Sequence, residues 1–151
     1  MSEKVRLYDL IKESFLLLDF GDRLFLEQFD LTVSRYYALT HIANEPGISP
    51  SLLSRYMFCD KSNITRLVHV LQNDGLVDRR PHEHDGRSHR LFLTPAGENL
   101  QRRAAEAHAR YVHERLRALE DCRAEEITGV LLHLNKHLAE ELAGVPTISL
   151  N

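Results

Sequence analysis

At 151 residues and 17.4 kDa the chain suffices for one domain with a real core, or one domain extended by dimerising helices, and no internal repeat or low-complexity tract divides it further. A net charge of −3 excludes a general coater of nucleic acid, yet the charge is uneven: five Lys/Arg face eight Asp/Glu in residues 1–53, seven face five in 54–93, and seven face nine in 94–151, so only the middle stretch is positive. Two distant cysteines, Cys59 and Cys122, without C-x-x-C spacing suit a reducing cytoplasm, and the apolar run Phe15-Leu16-Leu17-Leu18 is broken too soon by Asp19, Asp22 and Arg23 to span a bilayer, which predicts a soluble, cytoplasmic protein with no secretory signal and no membrane contact.

The first segment, Val5 to Phe29, reads as a helix whose Phe15, Leu16, Leu17, Leu18, Phe20, Leu24, Phe25, Leu26 and Phe29 lie almost all round the wheel. Such a helix must be covered on every side. A second subunit is the economical cover, and a central core helix of a monomer is the alternative. Gly21 inside it predicts a kink or close packing. A second helix, Leu31 to Glu45, is capped by Thr32 and closed by Pro46-Gly47, with Tyr36, Leu39, Ile42 and Ala43 on its inner stripe.

Ile48-Ser49-Pro50 then starts a short helix, with Ser49 as N-cap and Pro50 in the first helical position. Leu52, Leu53 and Tyr56 are expected to face inward, leaving Ser51, Ser54 and Arg55 for a phosphate backbone. Met57-Phe58-Cys59 leads to Asp60, the predicted cap of the next helix, where Ile64, Leu67, Val68 and Leu71 form one apolar stripe. On the opposite side lie Ser62, Thr65, Arg66, His69 and Asn73, with no acid among them. Short hydroxyl, amide, guanidinium and imidazole groups reach base edges and phosphates in a major groove, whereas an ordinary solvated face mixes Glu with Lys. Gly75 supplies a left-handed C-terminal cap. Leu76 to Arg80 and His89 to Leu93 read as strands, joined by Pro81 to Ser88 through an Asp85-Gly86 turn.

Thr94 and Pro95 open a long helix to about Glu120, with Leu100, Ala104, Ala107 and Tyr111 on one stripe and Arg102, Arg103, Arg110, Arg115 and Arg117 on a solvated face. A last helix, about Ala124 to Leu142, carries Ile127, Val130, Leu131, Leu134, Leu138 and Leu142 on its stripe and stops at Gly144-Val145-Pro146. The expected fold is mainly α with a small β-hairpin wing: a winged helix-turn-helix over residues 31–98, flanked by an N-terminal dimerisation helix in 1–30 and C-terminal dimerisation helices in 99–151.

Asp74-Gly75-Leu76-Val77-Asp78-Arg79-Arg80-Pro81, then Asp85-Gly86-Arg87-Ser88, then Leu93-Thr94-Pro95-Ala96-Gly97, resembles the signature of the multiple-antibiotic-resistance regulator (MarR) family. The resemblance implies a homodimeric transcriptional regulator, usually a repressor, that leaves its operator when a small molecule or an oxidant alters the dimer. With that frame, Ser62, Asn63, Thr65, Arg66 and His69 are expected to enter the major groove, Arg66 being the guanine reader. Ser49, Ser51, Arg55 and Lys61 would hold phosphates, and Arg87 would reach the adjacent minor groove. The family's Asp-x-Arg pattern assigns Asp85 to orienting that arginine. The partner is double-stranded DNA with pseudo-palindromic half-sites about 10 base pairs apart. The family also places a cleft for aromatic effectors along the first two helices, with Phe20, Arg23, Phe29, Tyr36, Tyr37 and His41 as the candidate lining here. The turn Met57-Phe58-Cys59 departs from the family pattern in lacking glycine, and Gly86 stands where a second basic residue is frequent. The absence of tryptophan and of an N-terminal cysteine argues against the urate-type and organic-hydroperoxide-sensing branches.

Other readings use other residues. Cys59, just before the reading helix, could couple thiol oxidation to DNA release. His133 and His137 have the i, i+4 spacing of a common zinc site, but no metal or other cofactor is expected. The chain shows no phosphate-cradling loop and no nucleophile elbow, so it is not expected to be an enzyme. The rival from another class is a winged helix used as a protein-interaction module.

Overall fold

The computed structural model describes residues 2–119 and 124–143, so Cys122 and the stop signal Gly144-Val145-Pro146 lie outside the described residues. The chain divides into two compact units, Met1–Glu106 and Ala107–Asn151.

The first unit opens with α1 (Glu3–Leu26), capped by Ser2 Oγ, which accepts from Val5 N–H at 3.3 Å. The helix runs unbroken through Gly21, which is buried, so the glycine serves close packing. A 3-10 turn at Glu27–Phe29 and the left-handed Asp30 reverse the chain, which shortens the helix expected to reach Phe29. Next comes α2 (Val33–Asn44), with Thr32 Oγ1 accepting from Arg35 N–H at 3.2 Å. Ser49 and Asp60 cap α3 (Pro50–Tyr56) and α4 (Lys61–Asn73) in the same way. Leu39 and Ile42 of α2, Leu53 of α3, Ile64, Val68 and Leu71 of α4 close a common core with Leu26, Ile48 and Leu91. The apolar stripe read from α4 is therefore the face that fixes this helix to the unit.

Two details of α3 differ from expectation. Tyr56 points outward, its hydroxyl donating to Glu45 Oε2 at 3.1 Å and its ring 5.5 Å from that of His41, so the polar end of the side chain decides its direction. Ser54 is buried and donates to the Ser51 carbonyl at 2.8 Å, one turn back, which removes it from any phosphate-binding set.

The hairpin pairs β1 (Val77–Pro81) with β2 (His89–Leu93) antiparallel, Val77 opposite Leu93 and Pro81 opposite His89, one residue further along β1 than the sequence suggested. Ile48 adds an isolated bridge to Leu91, with Gly47 N–H donating to the Leu91 carbonyl at 2.8 Å and Leu91 N–H returning to the Ile48 carbonyl at 3.0 Å. Gly47 meets this geometry at φ 88°, a left-handed conformation open to glycine. The wing is thus tied to the segment that starts α3.

Thr94 joins the hairpin to α5 (Pro95–Arg115). Its hydroxyl donates to the Gly75 carbonyl at 2.6 Å and accepts from Gly97 N–H at 3.0 Å, while its own N–H donates to the Leu76 carbonyl at 3.0 Å. A Cβ on Gly97 would sit 2.0 Å from the Leu76 carbonyl oxygen. The Leu-Thr-x-x-Gly sequence is thereby a packing device that sets the start of α5 on the end of α4. The α5 ladder ends at Arg115, short of the expected Glu120, where Leu119 N–H turns to the Leu116 carbonyl and a 3-10 turn, Arg117–Leu119, follows. In the second unit α6 (Ala124–Leu142) follows as predicted.

Large apolar side chains remain exposed on α1, among them Leu7, Leu10, Phe15, Leu17 and Leu24, and on α6, among them Val130, Leu131, Leu138 and Leu142.

Candidate nucleic-acid interface

The candidate interface is built on α4. Its N-cap Asp60 is the hub of a small network: Oδ1 accepts from Asn63 N–H at 2.7 Å and from Ser62 Oγ at 2.8 Å, and Oδ2 accepts from Asn63 Nδ2 at 3.0 Å. Asn63 Oδ1 in turn accepts from Arg66 Nη2 at 2.5 Å. The Asn63 amide donor, with the other bonds to the carboxylate, holds Asp60 below the usual carboxylate range. The charge of Asp60 is spent on the end of the helix, and its arms hold Asn63 and Arg66 in place. Lys61, Ser62, Asn63, Thr65, Arg66 and His69 are all exposed. Thr65 Oγ1 donates to the Lys61 carbonyl at 2.8 Å, which leaves its oxygen lone pairs and methyl outward.

The C-terminal end of α4 is fixed as firmly. Gly75 adopts φ 70°, its N–H donating to the Gln72 carbonyl at 2.9 Å while Leu76 N–H donates to the Leu71 carbonyl at 2.9 Å, the paired bonds of a left-handed helix stop. Asp74, the residue before it, forms an ion pair with Arg35 of α2. Nothing in the sequence marks this pair, whose members lie 39 positions apart.

In the hairpin loop Asp85 Oδ1 accepts from the Arg87 main-chain N–H at 3.0 Å and Oδ2 from Ser88 Oγ at 3.3 Å. The acid thus meets Arg87 through the backbone, in an Asx-type turn in which a carboxylate reaches the main-chain N–H two residues on. Arg87 is exposed. Three further wing arginines escaped the sequence reading. Arg79 Nη2 lies 3.1 Å from His89 Nδ1, Arg90 Nη2 lies 3.1 Å from His82 Nε2, and the Arg80 guanidinium sits 4.3 Å over the Phe92 ring. The concentration of arginine and histidine in β1, β2 and the loop between them was the signal that could have found them.

Of the phosphate candidates, Ser51 and Arg55 are exposed, while Ser49 is half-buried with its hydroxyl engaged as the cap of α3, accepting from Leu52 N–H at 3.1 Å. The six effector candidates sit in local contacts, with Tyr36 and Tyr37 near Asp22 of α1. Arg23 lies over the Phe20 ring at 5.3 Å and pairs with Asp19 at 3.5 Å, Phe29 packs on Phe25, Tyr36 meets Tyr37 edge-on, and His41 packs on Tyr56. Burial, foremost, and the nearby Asp22 push the Tyr36 and Tyr37 hydroxyls up, so both remain proton donors. A groove of about 540 Å³ lies elsewhere, lined by Ile42, Pro46, Phe92, Leu93, Glu98 and Arg102 among others. Among the described residues no group of three or more His, Cys, Asp or Glu is placed to hold a metal ion, and no helix is long and apolar enough to cross a membrane.

Comparison with known proteins agrees with this geometry. A model described as MarR family matches residues 29–88. A Thauera aromatica protein assigned to transcriptional regulation of the hcr operon is 32% identical over 115 residues, 76% of this chain and 69% of the relative. The repressor IacR of Pseudomonas putida is 38% identical over 79 residues, 51% of this chain, and the match spans only 47% of that relative's length. The crystal structure of a cysteine variant of MarR from E. coli, complexed with operator DNA, superposes with a TM-score of 0.77 at 24% identity, covering 90% of this chain and 96% of that one.

Proposed function

Because the chain belongs to the MarR family, whose members are transcription regulators and not enzymes, we propose that it is a homodimeric, sequence-specific repressor released from a pseudo-palindromic operator by a small aromatic or phenolic ligand. One observation carries the DNA reading: the exposed face of α4 holds serine, asparagine, threonine, arginine and histidine but no acid, beside an arginine-bearing hairpin in the same compact unit. Operator DNA in the related E. coli complex and the repressor name of the Pseudomonas putida relative support the same reading. Arg66, braced by Asn63, is the guanine reader, with Ser62, Asn63, Thr65 and His69 beside it in the major groove. Ser49, Ser51, Arg55 and Lys61 follow the phosphates, and Arg87, set by the Asp85 turn, enters the neighbouring minor groove.

The apolar surfaces left open on α1 and α6 support a second copy as their cover. Residues 1–30 and 99–151 then supply the dimer and 31–98 the DNA-binding part, a cytoplasmic assembly. The effector cleft, bordered by Phe20, Arg23, Phe29, Tyr36, Tyr37 and His41, would be completed by the second copy. The test is fluorescence anisotropy of labelled genomic fragments against salt and against a panel of aromatic carboxylates and phenols. Binding should be confined to particular fragments, fall steeply with salt and be reversed by some panel members. Equal binding to all fragments contradicts the specific-repressor reading, and indifference to every panel member contradicts the effector.

A further inference from the structure

Phe58 stands in the turn between α3 and α4 with its side chain 90% exposed. Its backbone is left-handed, at φ 51°. Phe58 N–H donates to the Arg55 carbonyl at 3.3 Å and Cys59 N–H to the Ser54 carbonyl at 3.1 Å, so the turn repeats the helix stop that Gly75 makes at the end of α4. At Gly75 the residue is the one that this conformation favours. At Phe58 it is an aromatic residue, which pays for the conformation with its Cβ and then exposes its ring.

The fold gains nothing visible in return. Phe58 is absent from the core cluster and makes no ring or cation contact among the described residues. It also stands apart from the apolar rows of α1 and α6. Its neighbours are instead the start of α4, where Asp60, Lys61, Ser62 and Asn63 begin the polar face. In a helix-turn-helix it is this N-terminal end of the second helix that meets the base edges. A phenyl ring has no hydrogen bond to offer there. The apolar group it can recognise in the major groove is the C5 methyl of thymine.

We propose that Phe58 is a specificity-determining residue that reads a thymine methyl in each half-site. The inference rests on the DNA reading given under Proposed function, and the contact replaces the fold's lost preference for glycine with a gain in operator discrimination.

The test removes the methyl and the ring separately. Each thymine of a selected operator is replaced in turn by deoxyuridine, and affinity is measured for the unaltered protein, for Phe58→Gly and for Phe58→Leu. The unaltered protein should lose roughly 4-fold at one position per half-site, the worth of one buried methyl. Phe58→Gly should bind the thymine operator more weakly, lose the response to deoxyuridine and melt no lower than the unaltered protein, while Phe58→Leu keeps part of the response. A raised melting temperature with lowered affinity is a combination that a purely structural role does not produce. The proposal is overturned if no thymine-to-uracil change matters to the unaltered protein, or if Phe58→Gly responds as the unaltered protein does. A protein that selects no operator at all overturns the DNA reading itself and this inference with it, and that outcome is distinguishable because it precedes any comparison of variants.

Discussion

Gly97 and Asp60 show how much one position can decide. The Leu76 carbonyl occupies the space that a side chain on Gly97 would need, and backbone cannot move aside as a flexible side chain can. Gly97→Ala should therefore destabilise the fold by about 1–3 kcal/mol despite the better helix propensity of alanine, read as a lowered midpoint in urea. A midpoint at or above that of the unaltered chain would show that α5 shifts freely from β1. For Asp60 the sign follows from its lowered pKa, caused first by the Asn63 N–H and then by Ser62. Its stabilisation is complete above the ordinary aspartate value and disappears as pH falls through the depressed one. Asp60→Asn keeps a capping side chain without a titrating charge. The advantage of the unaltered protein over Asp60→Asn in thermal melts should thus be present at neutral pH and vanish in strong acid, and an advantage unchanged across that range would contradict the assignment.

At the scale of elements, the caps and stripes were legible because they are local. Thr32, Ser49 and Asp60 each accept from an N–H three residues on, and the α4 stripe follows from the helical period alone. What escaped is what joins elements distant in sequence. The ion pair of Arg35 with Asp74 and the bridge of Ile48 to Leu91 have no local period to announce them. Ser54 and Tyr56 were misplaced for a related reason: a short helix has too few turns to fix its inner face, so the Ser51 carbonyl and Glu45 decide. The DNA candidates on α4 were legible as a face, but the bracing of Arg66 by Asn63 and the main-chain role of Asp85 needed coordinates. These two elements should fail differently. Arg66→Ala should lose about 1–3 kcal/mol of affinity for its own operator and relax discrimination at one base pair. Arg87→Ala should weaken binding more evenly across sequences and reduce the salt slope by about 1 for each wing. Matching profiles for the two variants would show that groove helix and wing had been assigned wrongly.

For the molecule as a whole, the exposed apolar residues of α1 and α6 are the largest feature that a single chain leaves unexplained. The sequence carried this signal directly, as a first helix apolar on nearly every side. What covers these surfaces was not legible, because no residue pattern within one chain names the complementary surface. Sedimentation equilibrium should find a dimer at micromolar concentration, and Leu17→Glu in α1 should shift it toward monomer while weakening operator binding. A dimer undisturbed by that charge would place the interface elsewhere. The net negative chain and its one positive stretch also agree at this scale, since binding then depends on two matched units more than on overall charge.

Sequencing the genomic fragments that the purified protein selects at physiological salt puts two α4 helices on one duplex to the most direct trial. The expected result is enrichment of a motif with internal twofold symmetry and half-sites about 10 base pairs apart, lost when Arg66 and Arg87 are both alanine. Enrichment of a single unsymmetrical half-site, or of no motif at all, would contradict it.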